Sequence, residues 1–179
     1  FFLILATYFF YPKISENKFI KKKTAIDETI EAEDKNRNLF EHVEYQGLYD
    51  FDKPIIVKSE KAYVLTEKPD IVYMINMQVI LHINDEKIII ITSDKGHYNK
   101  VTYDCFFEEN VKATDDETII LADNMNLLTT EDTATAYNNV ILTNDTGSLR
   151  ADKLDYDFET KYYQISMFND KNVKVKLIK

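Results

Sequence analysis

The chain has little of what punctuates most folds: three Gly, three Pro and one Cys among 179 residues. With so few Gly and Pro and no low-complexity tract, it is neither collagen-like nor a linker. Cys105 stands alone, which excludes an intrachain disulfide. Basic residues are in deficit, 22 Lys and Arg against 31 Asp and Glu, for a formal charge of -9. Nucleic-acid binding requires a basic face, and the one dense basic run is Lys21-Lys22-Lys23; a general nucleic-acid role is excluded. His42, His82 and His97 lie far apart, with no H-x-x-x-H pair and no Cys partner, so a zinc site has little support. No G-x-S-x-G, Walker or dinucleotide-binding motif occurs. Carboxylates are plentiful, but abundance does not make the opposed pair that glycoside hydrolysis needs. The expectation is a protein with no catalytic residue, no metal and no cofactor.

What is present is apolar and aromatic. Hydrophobic residues make up 45% of the chain and aromatic ones 13%, enough for one domain with a real core. The first eleven residues, "FFLILATYFFY", carry no charge, lack an initiator Met and stop at Pro12-Lys13. A bilayer-spanning helix requires roughly 20 apolar residues, so residues 1–12 are expected to be the carboxyl-terminal part of a truncated transmembrane anchor. Pro12 to Asn17 contain no A-x-A-like cleavage pattern, which favours a retained anchor over a removed signal. Residues 13–38 are highly charged with no sustained apolar period, and are expected to form a juxtamembrane linker.

From Leu39 onward the pattern is that of strands: Val, Ile, Thr, Tyr and Phe recur at i, i+2 between turn-like clusters such as "NDEK", "TDDE" and "NDTGS". Four phrases share one grammar, "IIVKSEKAYVL" from Ile55, "IIITSDKGHYN" from Ile89, "TIILADNMNLL" from Thr118 and "GSLRADKLDYD" from Gly147. Each holds a small residue followed by an acid: Ser59-Glu60, Ser93-Asp94, Ala122-Asp123 and Ala151-Asp152. Subtracting the acid positions gives spacings of 34, 29 and 29 residues. In every copy the inward frame breaks by two residues at the acid and then resumes. The frame reads Val57, Ser59, Ala62, Val64; Ile89, Ile91, Ser93, Gly96, Tyr98; Ile120, Ala122, Met125, Leu127; and Leu149, Ala151, Leu154, Tyr156. Such a break predicts a bulge that bends the strand, with the acid as its exposed or backbone-bonded member. Four equivalent copies argue against a catalytic acid. A second strand in each unit is centred on Val79, Val111, Val140 and Val173, at spacings of 32, 29 and 33 residues. Four two-stranded units after one preceding strand predict about nine or ten strands, in a sheet that no single unit stabilises alone. Curled by its bulges, that sheet encloses an apolar interior.

These phrases, with "NLFEHVEYQGLYDFDKPIIVKSEKAYV" leading them and "AYNNVIL" among them, resemble the OstA-like domain of lipopolysaccharide transport proteins over residues 39–178. An uncleaved anchor followed by one such domain resembles the LptC family, the inner-membrane component of that system. The resemblance implies an all-β fold: a repeat-built β-jellyroll over residues 39–179, a V-shaped two-sheet sandwich with open ends, preceded by a membrane helix. It implies a single-pass inner-membrane protein of the Gram-negative envelope with its main domain in the periplasm. Its implied role is to take lipopolysaccharide from an ABC transporter complex of the LptB/LptF/LptG type and pass it to a soluble periplasmic jellyroll protein of the LptA type. The chain departs from the family toward an acidic, Tyr- and Ile-rich composition.

Acyl chains bind where they leave water, at roughly 25 cal/mol per Å² of apolar surface. On the inward frame the expected lipid-binding residues are Val57, Ile75, Met77, Val79, Ile91, Phe107, Val111, Ile120, Met125, Ala136, Leu142, Leu149 and Ile165. Met77, Met125 and Met167 would adapt to irregular tails. Partner proteins are expected to add strands at the sheet edges. One edge is Val173, Val175 and Leu177, whose alternation with Lys174, Lys176 and Lys179 would turn the apolar residues toward the trough. The other is Val43, Tyr45 and Gly47, which the resemblance assigns to the transporter. Two rival readings are a soluble LptA-like bridge, separated by a cleaved amino end, and a carbohydrate-binding or carbohydrate-cleaving β-repeat protein. The latter would show exposed aromatics, from a set including Tyr63, Tyr98, Tyr103 and Tyr137, beside paired carboxylates in a groove.

Overall fold

Runs of β-branched and aromatic residues, separated by short polar turns, give ten strands among the described residues. They are β1 (Arg37–Tyr49), β2 (Lys53–Leu65), β3 (Lys68–His82), β4 (Ile88–Asn99), β5 (Cys105–Thr114), β6 (Ile119–Leu128), β7 (Thr133–Asn144), β8 (Gly147–Asp157), β9 (Tyr163–Ser166) and β10 (Lys174–Leu177). The computed structural model describes residues 37–49, 53–83, 87–115, 117–168 and 172–177. The expected anchor, residues 1–12, and the linker as far as residue 36 lie outside the described residues. Among the described residues there is no helix, and none long and apolar enough to cross a membrane.

Each strand from β1 to β8 pairs antiparallel with the next. The far side of β8 is then shared by two short strands: β10 pairs with Gly147–Arg150 and β9 with Lys153–Tyr156. β1 forms the opposite edge and pairs only with β2. The all-β expectation and the strand count hold, with one continuous sheet in place of two separate ones.

The sheet is creased along one line that crosses every long strand. On β2, Val57 and Ser59 are buried, Glu60 and Lys61 are not, and Ala62 is buried again. On β4 the same sequence runs Ile91, Ser93, then Asp94 and Lys95, then Gly96 and Tyr98. Across the line, each acid of the repeat accepts a hydrogen bond from a donor 16 residues later. Asn76 Nδ2 donates to Glu60 at 2.7 Å, Asn110 Nδ2 to Asp94 at 2.6 Å, Asn139 Nδ2 to Asp123 at 2.5 Å, and the backbone N–H of Phe168 to Asp152 at 2.8 Å. The three asparagines have φ of 54°, 50° and 55°, a left-handed conformation that Asn tolerates better than most residues with a Cβ. The expected kink is therefore a two-strand device, an acid on one strand and a left-handed asparagine on the next.

The second strand of each unit is marked by that asparagine and the inward residue after it, Asn76-Met77, Asn110-Val111 and Asn139-Val140. The valine spacing consequently misaligned the first and last copies. Met77 pairs with Ser59 and Ser93 as Val140 pairs with Ala151, so Met77, not Val79, is the counterpart; Val173 precedes β10, away from the crease. The same phase break corrects Ile75. Placed inward by i, i+2 counting from Met77, it sits with Asn76 on the outer side of the crease, and Met74 takes the buried position.

Folding along the crease brings the halves of the sheet face to face. One leaf contributes Val57, Val79, Ile91 and Val140, the other Ala62, Met74, Phe107 and Leu154, to one buried cluster. Where the leaves converge, the small side chains Ser59, Ser93, Ala122 and Ala151 are all buried beside the larger Met77, Val111 and Val140 of the neighbouring strands. Gly96 leaves no room for a side chain: a Cβ there would lie 2.5 Å from both Met77 Sδ and the Phe106 carbonyl oxygen.

Candidate functional site

The interior differs from end to end. Toward β1 it is filled: Met74, Met77, Leu81 and Phe107 are at most 2% exposed. Tyrosines close that end, with Tyr45 from one leaf packed on Tyr98 from the other at 5.5 Å between centroids, and Tyr103 lying 6.5 Å from Tyr98 and against Gly47. Burial pushes the Tyr98 hydroxyl up from its ordinary range. Burial likewise raises Cys105, leaving a protonated and unreactive thiol.

Toward β8 the leaves leave a slot of about 50 Å³ between them. On one leaf it is lined by Ile89, Ile91, Ala113 and Ile120, and on the other by Met125, Ala134, Ala136, Leu154, Tyr156 and Phe158. The small side chains Ala113, Ala134 and Ala136 create it.

Charge stands at the mouth of this slot. Lys87 Nζ and Asp115 Oδ2 are 3.0 Å apart, and the Asp115 carboxylate is largely covered. Its other oxygen accepts the backbone N–H groups of Glu117 and Thr118 at 3.1 and 2.8 Å. Burial is the strongest influence on Asp115 and opposes its charge. Lys87 and the two N–H groups together outweigh it and hold the carboxyl below its ordinary range. The hydrogen bond to Asp115 in turn holds Lys87 above its own. Tyr163 also lines the slot, its ring 4.5 Å from that of Tyr156, which meets Phe158 edge-on at 4.9 Å. Burial, then the neighbouring Tyr156, raises the Tyr163 hydroxyl.

Of the interior residues expected from the sequence, Val57, Met77, Val79, Ile91, Phe107, Val111, Met125 and Ala136 belong to the buried cluster, and Ile120, Leu142, Leu149 and Ile165 pack against it. Ile91, Ile120, Met125 and Ala136 line the slot. Val43 and Tyr45 also pack against the cluster, from the edge strand that carries Gly47. The carboxyl edge differs from expectation. Val173, Val175 and Leu177 are 37%, 62% and 75% exposed, on or beside the short edge strand β10, which pairs with Gly147–Arg150 of β8. Sequence reasoning missed Lys87, Asp115 and Phe158, which lie in or beside turns where no strand period applies. "NDEK" and "TDDE" mark the turns that carry Lys87 and Asp115, without marking the two as partners.

An outer row of aromatics crosses one leaf, but its rings face one another. Tyr63 and Tyr73 stack at 5.0 Å, His97 and Phe106 at 4.5 Å, and Arg37 covers Tyr63 at 5.1 Å. Rings paired in this way stabilise cross-strand contacts. Tyr98 and Tyr103 point into the molecule. Among the described residues no three His, Cys, Asp or Glu are grouped to hold a metal.

A family model described as "Lipopolysaccharide-assembly, LptC-related" matches residues 58–167. No curated protein matches the chain. Among solved structures it is similar to the crystal structure of LptH from Pseudomonas aeruginosa, described as the LptA-homologous periplasmic component of the conserved lipopolysaccharide transport device. The TM-score is 0.52 at 11% identity, covering 70% of this chain and 94% of that one. At that identity the likeness is one of fold.

Proposed function

For a chain that belongs to the LptC-related lipopolysaccharide-assembly family, we propose the role of a membrane-anchored, non-enzymatic lipid-transfer module. It takes lipopolysaccharide from an inner-membrane ABC transporter complex and passes it to a soluble periplasmic jellyroll protein. Residues 1–12 anchor it and residues 13–36 tether it, the expected linker ending two residues early because Arg37 and Asn38 already pair with β2, and the β-domain stands in the periplasm. The observation that supports this reading is the apolar slot lined by both leaves of one creased sheet. A carrier must accept an acyl chain and release it, and an interior that is packed at one end and unfilled at the other provides moderate burial without a sealed pocket. The edge strands β1 and β10 are where partner strands would add.

The test is site-specific photocrosslinking in membranes that contain lipopolysaccharide, with the probe at Met125, at Phe107 or at Lys112. Met125 lines the slot, Phe107 is its buried register partner on β5, and Lys112 is exposed. Lipopolysaccharide adducts are expected at Met125, at lower yield at Phe107, and not at Lys112. Equal labelling at all three, or none in folded protein, would overturn the reading.

A further inference from the structure

A groove of about 440 Å³ opens on the outer face of the sheet, where β7 begins, β8 ends and β9 begins. Strand alternation supplies its floor. Ala136 and Leu154 are buried, so their chain neighbours Thr135 and Asp155 face outward. Thr135, Asp155 and Gln164 are register partners across the three strands, and Thr133 stands opposite Asp157 in the adjoining row. Neighbouring strands lie about 4.8 Å apart, so these rows present hydrogen-bonding groups at regular steps. Tyr162, whose carbonyl accepts the backbone N–H of Asp157 at 3.1 Å, ends the second row and is 76% exposed. The groove shares only Tyr156 and Tyr163 with the lining of the slot.

The groups that line it have unused capacity. Asp155 Oδ1 accepts Thr135 Oγ at 2.7 Å and Lys153 Nζ at 2.8 Å, which leaves Oδ2 for a further donor. Gln164 is exposed and its amide both donates and accepts. Beside them the Tyr162 ring offers an apolar face, and it packs on no other ring among the described residues. A ligand with hydroxyls at regular intervals and an apolar ring face matches both features. We propose that this groove binds a neutral, unbranched oligosaccharide lying across β7, β8 and β9, with one sugar ring stacked on Tyr162 and hydroxyls bonded to Asp155 and Gln164. Charge sets the class of sugar. Glu131, Asp155 and Asp157 line the groove, and no Lys, Arg or His stands among the described lining residues. An acidic glycan would place its own anions against Glu131 and Asp157, a repulsion that discriminates against it. The groove therefore differs from the slot in ligand as well as in position, and its role does not rest on the lipid reading.

The experiment titrates the full chain, held in phosphatidylcholine nanodiscs, with cellohexaose, maltohexaose, N-acetylchitohexaose or the acidic hexagalacturonate in a calorimeter. Saturable binding of at least one of the neutral chains is expected, with hexagalacturonate at least about tenfold weaker than the best of them. Tyr162→Ala removes the stacking face and should weaken that binding about five- to tenfold. Gln164→Ala, at an exposed position where the fold tolerates truncation, should weaken it about three- to tenfold. No binding of any neutral chain with the β-sheet circular dichroism intact, hexagalacturonate bound as tightly as the neutral chains, or an affinity that survives both substitutions would overturn the proposal.

Discussion

The two ends of the interior are written in the same repeat and packed to different standards. At the β1 end the facing positions carry Met74, Met77, Leu81 and Phe107, and space between the leaves is filled. At the β8 end they carry Ala113, Ala134 and Ala136, and the slot remains. The crease differs along the same direction. From β1 to β4 the ladders cross it in unchanged register; at β4/β5, β5/β6, β6/β7 and β7/β8 the register shifts by one residue. The extra residue is visible in the sequence: two residues separate Met74 from Met77, but three separate Phe107 from Val111 and Ala136 from Val140. Glu109 and Asn138 join the neighbouring asparagines in the left-handed region for that reason. A repeat fold can thus be rigid at one end and yielding at the other without changing its strand pattern, by altering side-chain volume and one residue at the bend.

The largest test of this contrast removes the same kind of volume on each side of the boundary. Phe107 and Met125 are register partners on β5 and β6, yet only Met125 borders the slot. Phe107→Ala leaves a new cavity in close packing and is expected to cost about 3 to 5 kcal/mol in denaturant unfolding. Met125→Ala enlarges a space that already exists and is expected at the low end for such changes, about 2 kcal/mol. Equal costs would show that the two ends are equally well packed. The converse pair adds volume. Ala62 is fully buried at the filled end, so Ala62→Val should overpack it and cost about 1 to 3 kcal/mol. Ala136→Val grows into the slot; it should change stability by less than about 0.5 kcal/mol and weaken lipid crosslinking at Met125.

Much of this was legible in the chain, and the reason is periodicity. The four inward frames read from the repeat, from Val57 to Tyr156, all fall in the buried cluster or against it, because strand alternation and one phase break per copy were enough to assign faces. The acids were recognised at the kink for the same reason. Their asparagine partners were not, since a hydrogen bond between strands 16 residues apart has no signature in either strand alone. Ile75 went astray through the same gap: its phase depends on a left-handed residue at Asn76 that alternation cannot reveal. The slot itself was out of reach. It is a difference between volumes on two facing leaves, and its charged mouth comes from turns.

The finest change lies where the leaves converge and concerns a single oxygen atom. The small residue of the repeat is serine in the first two copies and alanine in the last two, and both serines are buried. Ser93 Oγ donates to the Lys95 carbonyl at 2.7 Å, whereas the buried Ser59 Oγ has no hydrogen-bond partner among the described residues. Burying an unpaired hydroxyl costs about 1 to 3 kcal/mol, and a satisfied one returns about 0.5 to 1.5 kcal/mol. Ser59→Ala is therefore expected to raise the denaturant midpoint, by about 1 kcal/mol in stability. Ser93→Ala should lower it by a similar or smaller amount. The substitutions are chemically identical and sit at equivalent points of adjacent repeats, so opposite signs would isolate hydrogen bonding from volume. Losses at both sites would mean that Ser59 is satisfied by water at the crease, and that the filled end is less dry than its packing indicates.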